Sequence, residues 1–164
     1  MTKASYAISI GSNRPGRAGG PEAVIRAALV ALGEVVAASP IMTSLPLGPS
    51  RRRYANAVAI LASGEAPDVL LTRLKAIERS FGRRRGRRWG ARVLDLDIIL
   101  WSQGCWATPG LIIPHRAFRE RTFVLTPLKA VAPNWRDPVS GASIRQLAAR
   151  LGRARPVDPA PARA

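Results

Sequence analysis

The most informative segment of this chain is Val93-Leu94-Asp95-Leu96-Asp97-Ile98-Ile99-Leu100, which predicts a strand. Side chains alternate between the two faces of a strand, so Asp95 and Asp97 share one face, while Leu94, Leu96 and Ile98 share the other. Residues two apart on a strand have Cα atoms ~6.5 to 7 Å apart, and their carboxylates can hold the paired cations of a phosphoryl-transfer site. The alternative is a solvated polar face on an edge strand. Like charges would repel each other there, and Ile98-Ile99-Leu100 indicates burial, so we expect metal binding.

Outward from this strand, which we expect to span residues 93–101, the apolar pattern predicts further strands and helices. Strands are predicted at 4–10, 35–44 and 54–63, with a short extended segment at 111–113. Helices are predicted from Pro21 to Leu32 with Gly33 as the cap, from Pro67 to near Gly82, and at 123–131 and 143–151. Because these elements mix without strict βαβ alternation and several strand-to-strand links are short, we expect an α+β protein with an antiparallel sheet.

The charge balance is strongly basic. The 164 residues include 26 Lys and Arg against 10 Asp and Glu, which gives a net charge of +16. The chain is rich in Ala and Arg, and the base composition of the genome could account for about half of the excess of basic residues. Two predicted loops, 45–53 and 83–90, are rich in arginine, and Arg92 stands three residues before Asp95. Acids and arginines in one site suit a magnesium-bound phosphate substrate, since guanidinium groups hold the remaining phosphate oxygens. Taken alone, the arginine loops are equally consistent with a nucleic-acid patch or with a solvated charge run.

Composition also excludes several classes of site. Cys105 is the single cysteine and His115 the single histidine, which excludes an internal disulfide, a cysteine zinc site and a multi-histidine metal site. Neither a Walker A sequence nor a Gly-x-Gly-x-x-Gly fingerprint is present. His115 itself could contact a phosphate or be structural. No apolar run reaches the ~18 to 20 residues of a membrane span. With a single cysteine we expect a cytoplasmic protein with one domain at 1–152. Residues 153–164 have no core-facing pattern, so we expect a disordered Pro/Ala/Arg tail there.

Short motifs follow one another along the chain in a characteristic order. They are Ile10-Gly11-Ser12-Asn13, Leu45-Pro46-Leu47-Gly48-Pro49, Tyr54-Ala55-Asn56-Ala57, Ile77-Glu78, Arg88-Trp89-Gly90-Ala91-Arg92-Val93-Leu94-Asp95-Leu96-Asp97-Ile98, Pro114-His115 and Arg121-Thr122-Phe123-Val124-Leu125-Thr126-Pro127-Leu128. Over roughly residues 4–150 they resemble the 6-hydroxymethyl-7,8-dihydropterin pyrophosphokinase family. The Arg-Trp-Gly-x-Arg-x-Leu-Asp-Leu-Asp run is highly specific, whereas Gly-Ser-Asn alone would be weak.

The resemblance implies a fold, a reaction and a set of site residues. The fold is a three-layer α+β sandwich, an antiparallel sheet with a ferredoxin-like core flanked by helices. The reaction transfers pyrophosphate from ATP to the pterin's hydroxymethyl group with two Mg²⁺ ions, releases AMP and needs no essential general base. The implied catalytic residues are Arg83, Arg92, Asp95 and Asp97, the two aspartates being the metal ligands. The implied ATP-binding residues are Glu78, Trp89, Arg92, Ile98, His115 and Arg121. The implied pterin-binding residues are Ser44, Leu45, Leu47, Tyr54, Asn56 and Phe123.

Two other functions compete with this interpretation. A basic nucleic-acid-binding domain would place stacking aromatics among its arginines and needs no acidic pair. Here only Trp89 and Tyr54 adjoin the arginine clusters. A catalytically inactive relative is disfavoured because both aspartates and Asn56 are present. We therefore expect ATP and the pterin as partners of a monomer, without nucleic acid or membrane.

Overall fold

The computed structural model of the chain describes residues 2–44, 54–82 and 92–153. Its strands are β1 (Ala4–Ser12), β2 (Val35–Ala38), β3 (Met42–Ser44), β4 (Tyr54–Ser63), β5 (Asp95–Trp101), β6 (Trp106–Thr108) and β7 (Leu111–Ile113). Its helices are α1 (Pro21–Leu32), α2 (Pro67–Ser80), α3 (Thr122–Val131) and α4 (Ile144–Arg153), with a 3₁₀ turn at Phe118–Glu120. Within these ranges, no helix has the length and apolar character needed to cross a membrane.

The main sheet has the strand order β2-β4-β1-β5, and β3 pairs with β4 beside β2. All of these pairings are antiparallel. Chain order β1-α1-β2 followed by β4-α2-β5 produces this arrangement, which is the split βαβ pattern of a ferredoxin-like core. The expected α+β class and its ferredoxin-like core are therefore confirmed. A separate antiparallel hairpin joins β6 to β7.

Each face of the sheet carries its own apolar core. On one face, which we call the first face, α1 and α2 pack against side chains such as Tyr6, Ile8 and Ile10 of β1. On the other, the second face, α3, α4 and the 3₁₀ turn pack against Ala7 of β1 and Val58 of β4. The period-2 alternation of strand side chains feeds both cores from the same strands, which gives the three layers that the motifs imply.

An extra residue interrupts β5. Ala7 of β1 pairs with Leu100, whereas the next residue, Ile8, pairs with Ile98, so Ile99 has no partner of its own. Such a bulge lets two consecutive residues pack on one face, and Ile99 and Leu100 both lie in the core of the second face. The continuous apolar run that indicated burial in the sequence therefore marks a bulge, just beyond the two aspartates.

The structure corrects several expected boundaries. The strand expected at 35–44 is two strands. The Ser39 N–H donates to the Val58 carbonyl, and the Ser39 hydroxyl accepts a hydrogen bond from the Val58 N–H. Pro40 follows and has no N–H to continue the pairing. β5 begins at Asp95 rather than at residue 93, and the hairpin strand β6 was not predicted. α4 continues to Arg153, two residues past the predicted end of that helix, and residues 154–164 of the expected tail lie outside the described part of the chain.

Candidate active site

Two carboxylates form the centre of the candidate site. Asp95 and Asp97 lie on β5, opposite Gly11 and Ser9 of β1, on the second face of the sheet. Their apolar neighbours Leu94, Leu96 and Ile98 are buried in the core of the first face. The same-face arrangement predicted from the spacing is confirmed, and both aspartates are half-buried rather than fully solvated.

The environment of Asp97 disfavours its negative charge. Burial, and then the charge of Asp95, raises the pKa of Asp97 to about 6, although Lys75 and Arg121 act in the opposite direction. A carboxylate held in this way gains from a bound cation, which removes both penalties at once. The local electrostatics therefore fit a cation beside Asp97.

The donor set also indicates which cation would fit. Within residues 2–44, 54–82 and 92–153, no group of three or more His, Cys, Asp or Glu side chains is arranged to hold a metal. Two carboxylates without further protein ligands suit Mg²⁺, which typically binds one or two carboxylates and completes its shell with water and substrate phosphates. The residues present thus fit magnesium carried in with a phosphate ligand.

Arg92 is held beside the carboxylates by contacts at both its backbone and its side chain. Its Nη1 lies 3.0 Å from Oδ1 of Asp95. The side chain of Asn13, which is almost fully buried, accepts a hydrogen bond from the Arg92 backbone N–H at 2.8 Å, and the Asn13 N–H donates to the Arg92 carbonyl at 3.2 Å. Sequence reasoning assigned no role to Asn13; the available signal was a polar residue directly after a buried strand, within a motif.

Glu78 fixes the edge of β5 from α2. Its carboxylate is completely buried, accepts a hydrogen bond from the Leu96 backbone N–H at 2.8 Å and lies 3.4 Å from the Lys75 ammonium. A buried carboxylate that receives these donors holds the strand next to both aspartates. These contacts give Glu78 a structural role, and its predicted contact with ATP stays a prediction.

A row of three residues crosses the sheet at the level of Asp95. Gly11 of β1 pairs with Asp95 on one side and with Asn56 of β4 on the other. A Cβ atom at Gly11 would stand 3.4 Å from Oδ1 of Asn56 and 3.8 Å from Cδ1 of Tyr54. Gly11 therefore leaves a shallow floor between an amide side chain and a carboxylate. Tyr54 borders this floor, and burial, followed by the charge of Asp95, raises the pKa of its phenol.

His115 and Arg121 approach the carboxylates from the segment between β7 and α3. The backbone N–H of His115 bonds to the Ile99 carbonyl of β5 at 3.0 Å, which places His115 beside the bulge. Burial, and then the charge of Arg121, lowers the pKa of His115, while Asp95 acts in the opposite direction. Arg121 precedes α3, and its guanidinium carbon lies 5.6 Å from the ring centroid of Phe123. The site therefore combines a neutral imidazole, a cation and two carboxylates.

The remaining predicted residues lie at different distances from this centre. Phe123, in the first turn of α3, packs partly against the core of the second face. The Ile98 side chain lies in the core of the first face, away from the carboxylates, so a contact with ATP would have to come from its backbone. The backbone of Ser44 ends β3 and pairs with Tyr54. The predicted site residues outside the described part of the chain are Leu45, Leu47, Arg83 and Trp89.

Comparisons with known proteins agree with this geometry. Residues 7–133 match the family described as 7,8-dihydro-6-hydroxymethylpterin-pyrophosphokinase. Proteins named 2-amino-4-hydroxy-6-hydroxymethyldihydropteridine pyrophosphokinase are 42% identical in Synechocystis sp. (76% of this chain, 64% of the relative) and 42% identical in Pseudomonas aeruginosa (80% of this chain, 82% of the relative). The match thus spans slightly less than two thirds of the Synechocystis protein.

Solved structures support the fold. A crystal structure of an HPPK-DHPS protein in complex with substrates superposes with a TM-score of 0.75 at 10% identity, over 92% of this chain and 45% of that one. The Plasmodium falciparum HPPK-DHPS structure gives a TM-score of 0.68 at 12% identity, over 90% of this chain and 44% of that one. At such identity the likeness concerns the fold alone, whereas the sequence matches reach most of the described site. The chain therefore belongs to the 7,8-dihydro-6-hydroxymethylpterin-pyrophosphokinase family.

Proposed function

We propose that this chain transfers pyrophosphate from ATP to the hydroxymethyl oxygen of 6-hydroxymethyl-7,8-dihydropterin, giving AMP and the pterin diphosphate in folate biosynthesis. The observation that carries this proposal is the row Asn56–Gly11–Asp95 across three paired strands. Two strand spacings of ~5 Å separate its ends by about 10 Å. A flat ring that bonds to Asn56 could therefore lie over Gly11 with its substituent directed toward Asp95.

The reaction requires positioning more than proton transfer. The alcohol oxygen forms a bond to the β-phosphorus, the bond from the β-phosphorus to the α,β-bridging oxygen breaks, and its electron pair leaves with AMP. The alcohol proton is released to water. Phosphoryl transfer of this kind depends on alignment and on stabilisation of the phosphate charge. The described site residues that could serve as a base are His115 and the carboxylates, and the mechanism needs none of them in that role.

Asp95 and Asp97 are the residues that would hold Mg²⁺, with two ions as the proposed number. When bound, the ions would neutralise phosphate oxygens and align the triphosphate. The protein contributes two oxygen ligands on one face of a rigid, edge-fixed strand. A bound cation would offset the burial and the charge of Asp95, which raise the pKa of Asp97 to about 6.

Cationic side chains would hold the phosphate oxygens that the metal leaves free. Arg92 is fixed beside Asp95 through Asn13, and Arg121 acts on Asp97 from the start of α3. Guanidinium forks match phosphate geometry and keep their charge at every physiological pH. Arg83 and Trp89 are proposed to complete this set, together with Glu78, Ile98 and His115 on the nucleotide side.

The pterin ring is proposed to bind between two aromatic faces. Tyr54 lies on the same strand face as Asn56, and Phe123 approaches that face from α3. Flat apolar rings on both sides suit a bicyclic heterocycle, and the Asn56 amide can both donate and accept along its polar edge. The proposed rim of the pocket consists of Ser44, Leu45 and Leu47. We further propose that the chain acts as a monomer in the cytoplasm.

The decisive experiment measures AMP release from ATP by the purified chain. AMP should form only when both Mg²⁺ and 6-hydroxymethyl-7,8-dihydropterin are present. Asp97→Asn should abolish AMP formation, whereas Asp68→Asn, which changes an exposed carboxylate on α2, should retain it. Absence of AMP from folded wild-type protein would refute the activity and favour an inactive relative or a nucleic-acid-binding protein.

A further inference from the structure

A second acid–base cluster lies outside the reaction centre, between the 3₁₀ turn and the loop that joins α3 to α4. Asp137 is completely buried there. Its two carboxylate oxygens accept hydrogen bonds from Nε and Nη2 of Arg119 at 2.6 and 2.7 Å. The Ser140 hydroxyl donates at 2.6 Å and the Val139 N–H at 3.1 Å. This is a bidentate, charge-assisted pair of the strongest geometric class.

The cluster remains ionised at neutral pH. Burial opposes the charge of Asp137, but Arg119, Ser140 and the Val139 N–H more than offset it and lower the pKa of Asp137 to about 2. Asp137 correspondingly raises the pKa of Arg119. The pair therefore acts as a permanent cross-link between the turn and the loop, without titration across the physiological range.

The turn that this pair holds is the spacer between two proposed nucleotide ligands. The Phe118 N–H bonds to the His115 carbonyl at 3.3 Å, and the Arg121 N–H bonds to the Phe118 carbonyl at 3.4 Å. Phe118 is fully buried in the core of the second face, with the Arg119 guanidinium carbon 4.7 Å from its ring centroid. The turn is thus anchored twice, by Phe118 in the core and by Arg119 on Asp137.

The same turn determines the chemical state of His115. Its Nδ1 accepts the Ala117 N–H at 3.2 Å, so the neutral ring carries its proton on Nε2. The charged groups that act on the ring are Arg121, from the start of α3, and Asp95, from β5. A displacement of the turn would alter both the Ala117 bond and the separation of His115 from Arg121.

We propose that Arg119 and Asp137 are positioning residues, whose ion pair fixes the 3₁₀ turn so that His115 and Arg121 are presented together to the triphosphate. This inference rests on the proposed function for the identity of the ligand. Neither residue needs to touch the substrate, because the effect passes through two backbone hydrogen bonds of the turn. A purely stabilising ion pair could lie anywhere in the fold, whereas Arg119 stands on the turn between His115 and Arg121.

The single histidine of the chain provides a direct test. In ¹⁵N-detected imidazole spectra of the wild-type protein, we expect the Nε2–H tautomer and a pKa below 6.5. Asp137→Asn should move that pKa toward 6.5 and increase the Nδ1–H population. It should also raise the Km for ATP roughly tenfold, with a much smaller change in the Km for the pterin. Arg119→Lys, which keeps the charge but loses the bidentate fork, should be intermediate.

A matched control separates positioning from stability. Glu65→Gln removes the charge from a second carboxylate–guanidinium pair, with Arg73, whose exposed fraction of 33% is close to the 30% of Arg119, although Glu65 itself is 29% exposed and Asp137 is fully buried. It should lower the melting temperature and leave both the His115 spectrum and the Km ratio unchanged. If Asp137→Asn does not fold, Ser140→Ala removes one donor to the same carboxylate and should cause a smaller shift in the same direction.

The outcomes distinguish this inference from the proposed activity. Folded Asp137→Asn or Ser140→Ala with a wild-type His115 spectrum and Km ratio would show that the pair only stabilises the loop, and would overturn the inference. If the wild-type chain releases no AMP, the proposed function fails, but the His115 spectrum still decides whether the ion pair positions the turn. Titration of ATP into the same samples then shows whether the nucleotide changes the His115 imidazole spectrum.

Discussion

Asp97→Asn should stabilise the metal-free protein while it abolishes turnover. The carboxylate of Asp97 is held where burial and Asp95 raise its pKa from 3.8 to about 6. At about 1.4 kcal/mol per pKa unit, ionised Asp97 would destabilise the native state by about 3 kcal/mol. Because the two aspartates share this interaction and Asp97 is only half-buried, we expect about 1 to 3 kcal/mol. The uncharged amide keeps the shape of the side chain and removes this penalty.

The sign of the effect fixes its pH dependence. A folded-state pKa above the unfolded-state value means that the native state binds the proton more tightly. The resulting stability is fully present below pH 3.8 and is lost as the pH rises through about 6. Wild type and Asp97→Asn should therefore be similarly stable near pH 4. Their difference should grow between these two pKa values and then stay constant.

Thermal and urea unfolding in EDTA between pH 4 and pH 8 measures this difference. For a domain of this size, 1 to 3 kcal/mol corresponds to a rise in melting temperature of roughly 3 to 9 °C. Asp95→Asn is the matched control: it removes the same repulsion but also the ion pair with Arg92, so its gain should be smaller or absent. A variant that is less stable than wild type at pH 7.5, or equally stable, would refute the electrostatic argument. Added Mg²⁺ and ATP should then raise the melting temperature of wild type only.

Three further changes probe the rest of the site. Asn56→Ala should weaken pterin binding, measured by calorimetry, and leave ATP binding intact; equal losses for both ligands would argue against its assigned role. Gly11→Ala should also weaken pterin binding, because the new Cβ would stand 3.4 Å from Asn56 Oδ1 on the pocket floor, whereas Gly64→Ala, whose Cβ meets nothing within 4 Å, should not. Asn13→Ala should lower the free energy of unfolding in urea by about 1 to 3 kcal/mol, since the Arg92 N–H loses its acceptor; an unchanged midpoint would contradict the importance of that bond.

The long, regular elements could be predicted from the sequence because their periodicity is strong. β4 and α1 have the predicted limits, since Tyr54–Ser63 is apolar except for Asn56 and Ser63 and Pro21 begins a clear helical face. The short hairpin strand Trp106–Thr108 could not be predicted, because three residues give no period. The bulge at Ile99 was equally hidden, since an apolar run looks the same whether its alternation is kept or interrupted.

Pairing of distant strands limited what could be predicted about the site. Asp95 and Asp97 belong to one strand, so their spacing alone placed them on one face. The row Asn56–Gly11–Asp95 depends on the register of β1 with both β4 and β5, which no local pattern contains. The role of Asn13 was hidden for the same reason, since its side-chain oxygen accepts a hydrogen bond from the backbone N–H of Arg92, 79 positions away.

Several residues that depart from ordinary strand and core preferences lie close to β5 or to the row that Asp95 forms with Gly11 and Asn56. Glycine is depleted in strand interiors, yet Gly11 stands in the middle of three paired strands. Buried polar side chains are uncommon, yet Asn13, Asn56 and Glu78 are each at most 5% exposed and adjoin β5 or the floor beside it. Asn13 and Glu78 accept hydrogen bonds from the backbone of Arg92 and Leu96 and so support the fold, whereas the raised pKa of Asp97 indicates that its ionised form destabilises the metal-free protein. Under the proposed function, a pterin ring over Gly11 and Asn56 and a cation beside Asp97 would account for these three residues. Ligand binding would then explain Gly11, Asn56 and Asp97, while backbone hydrogen bonds already explain Asn13 and Glu78.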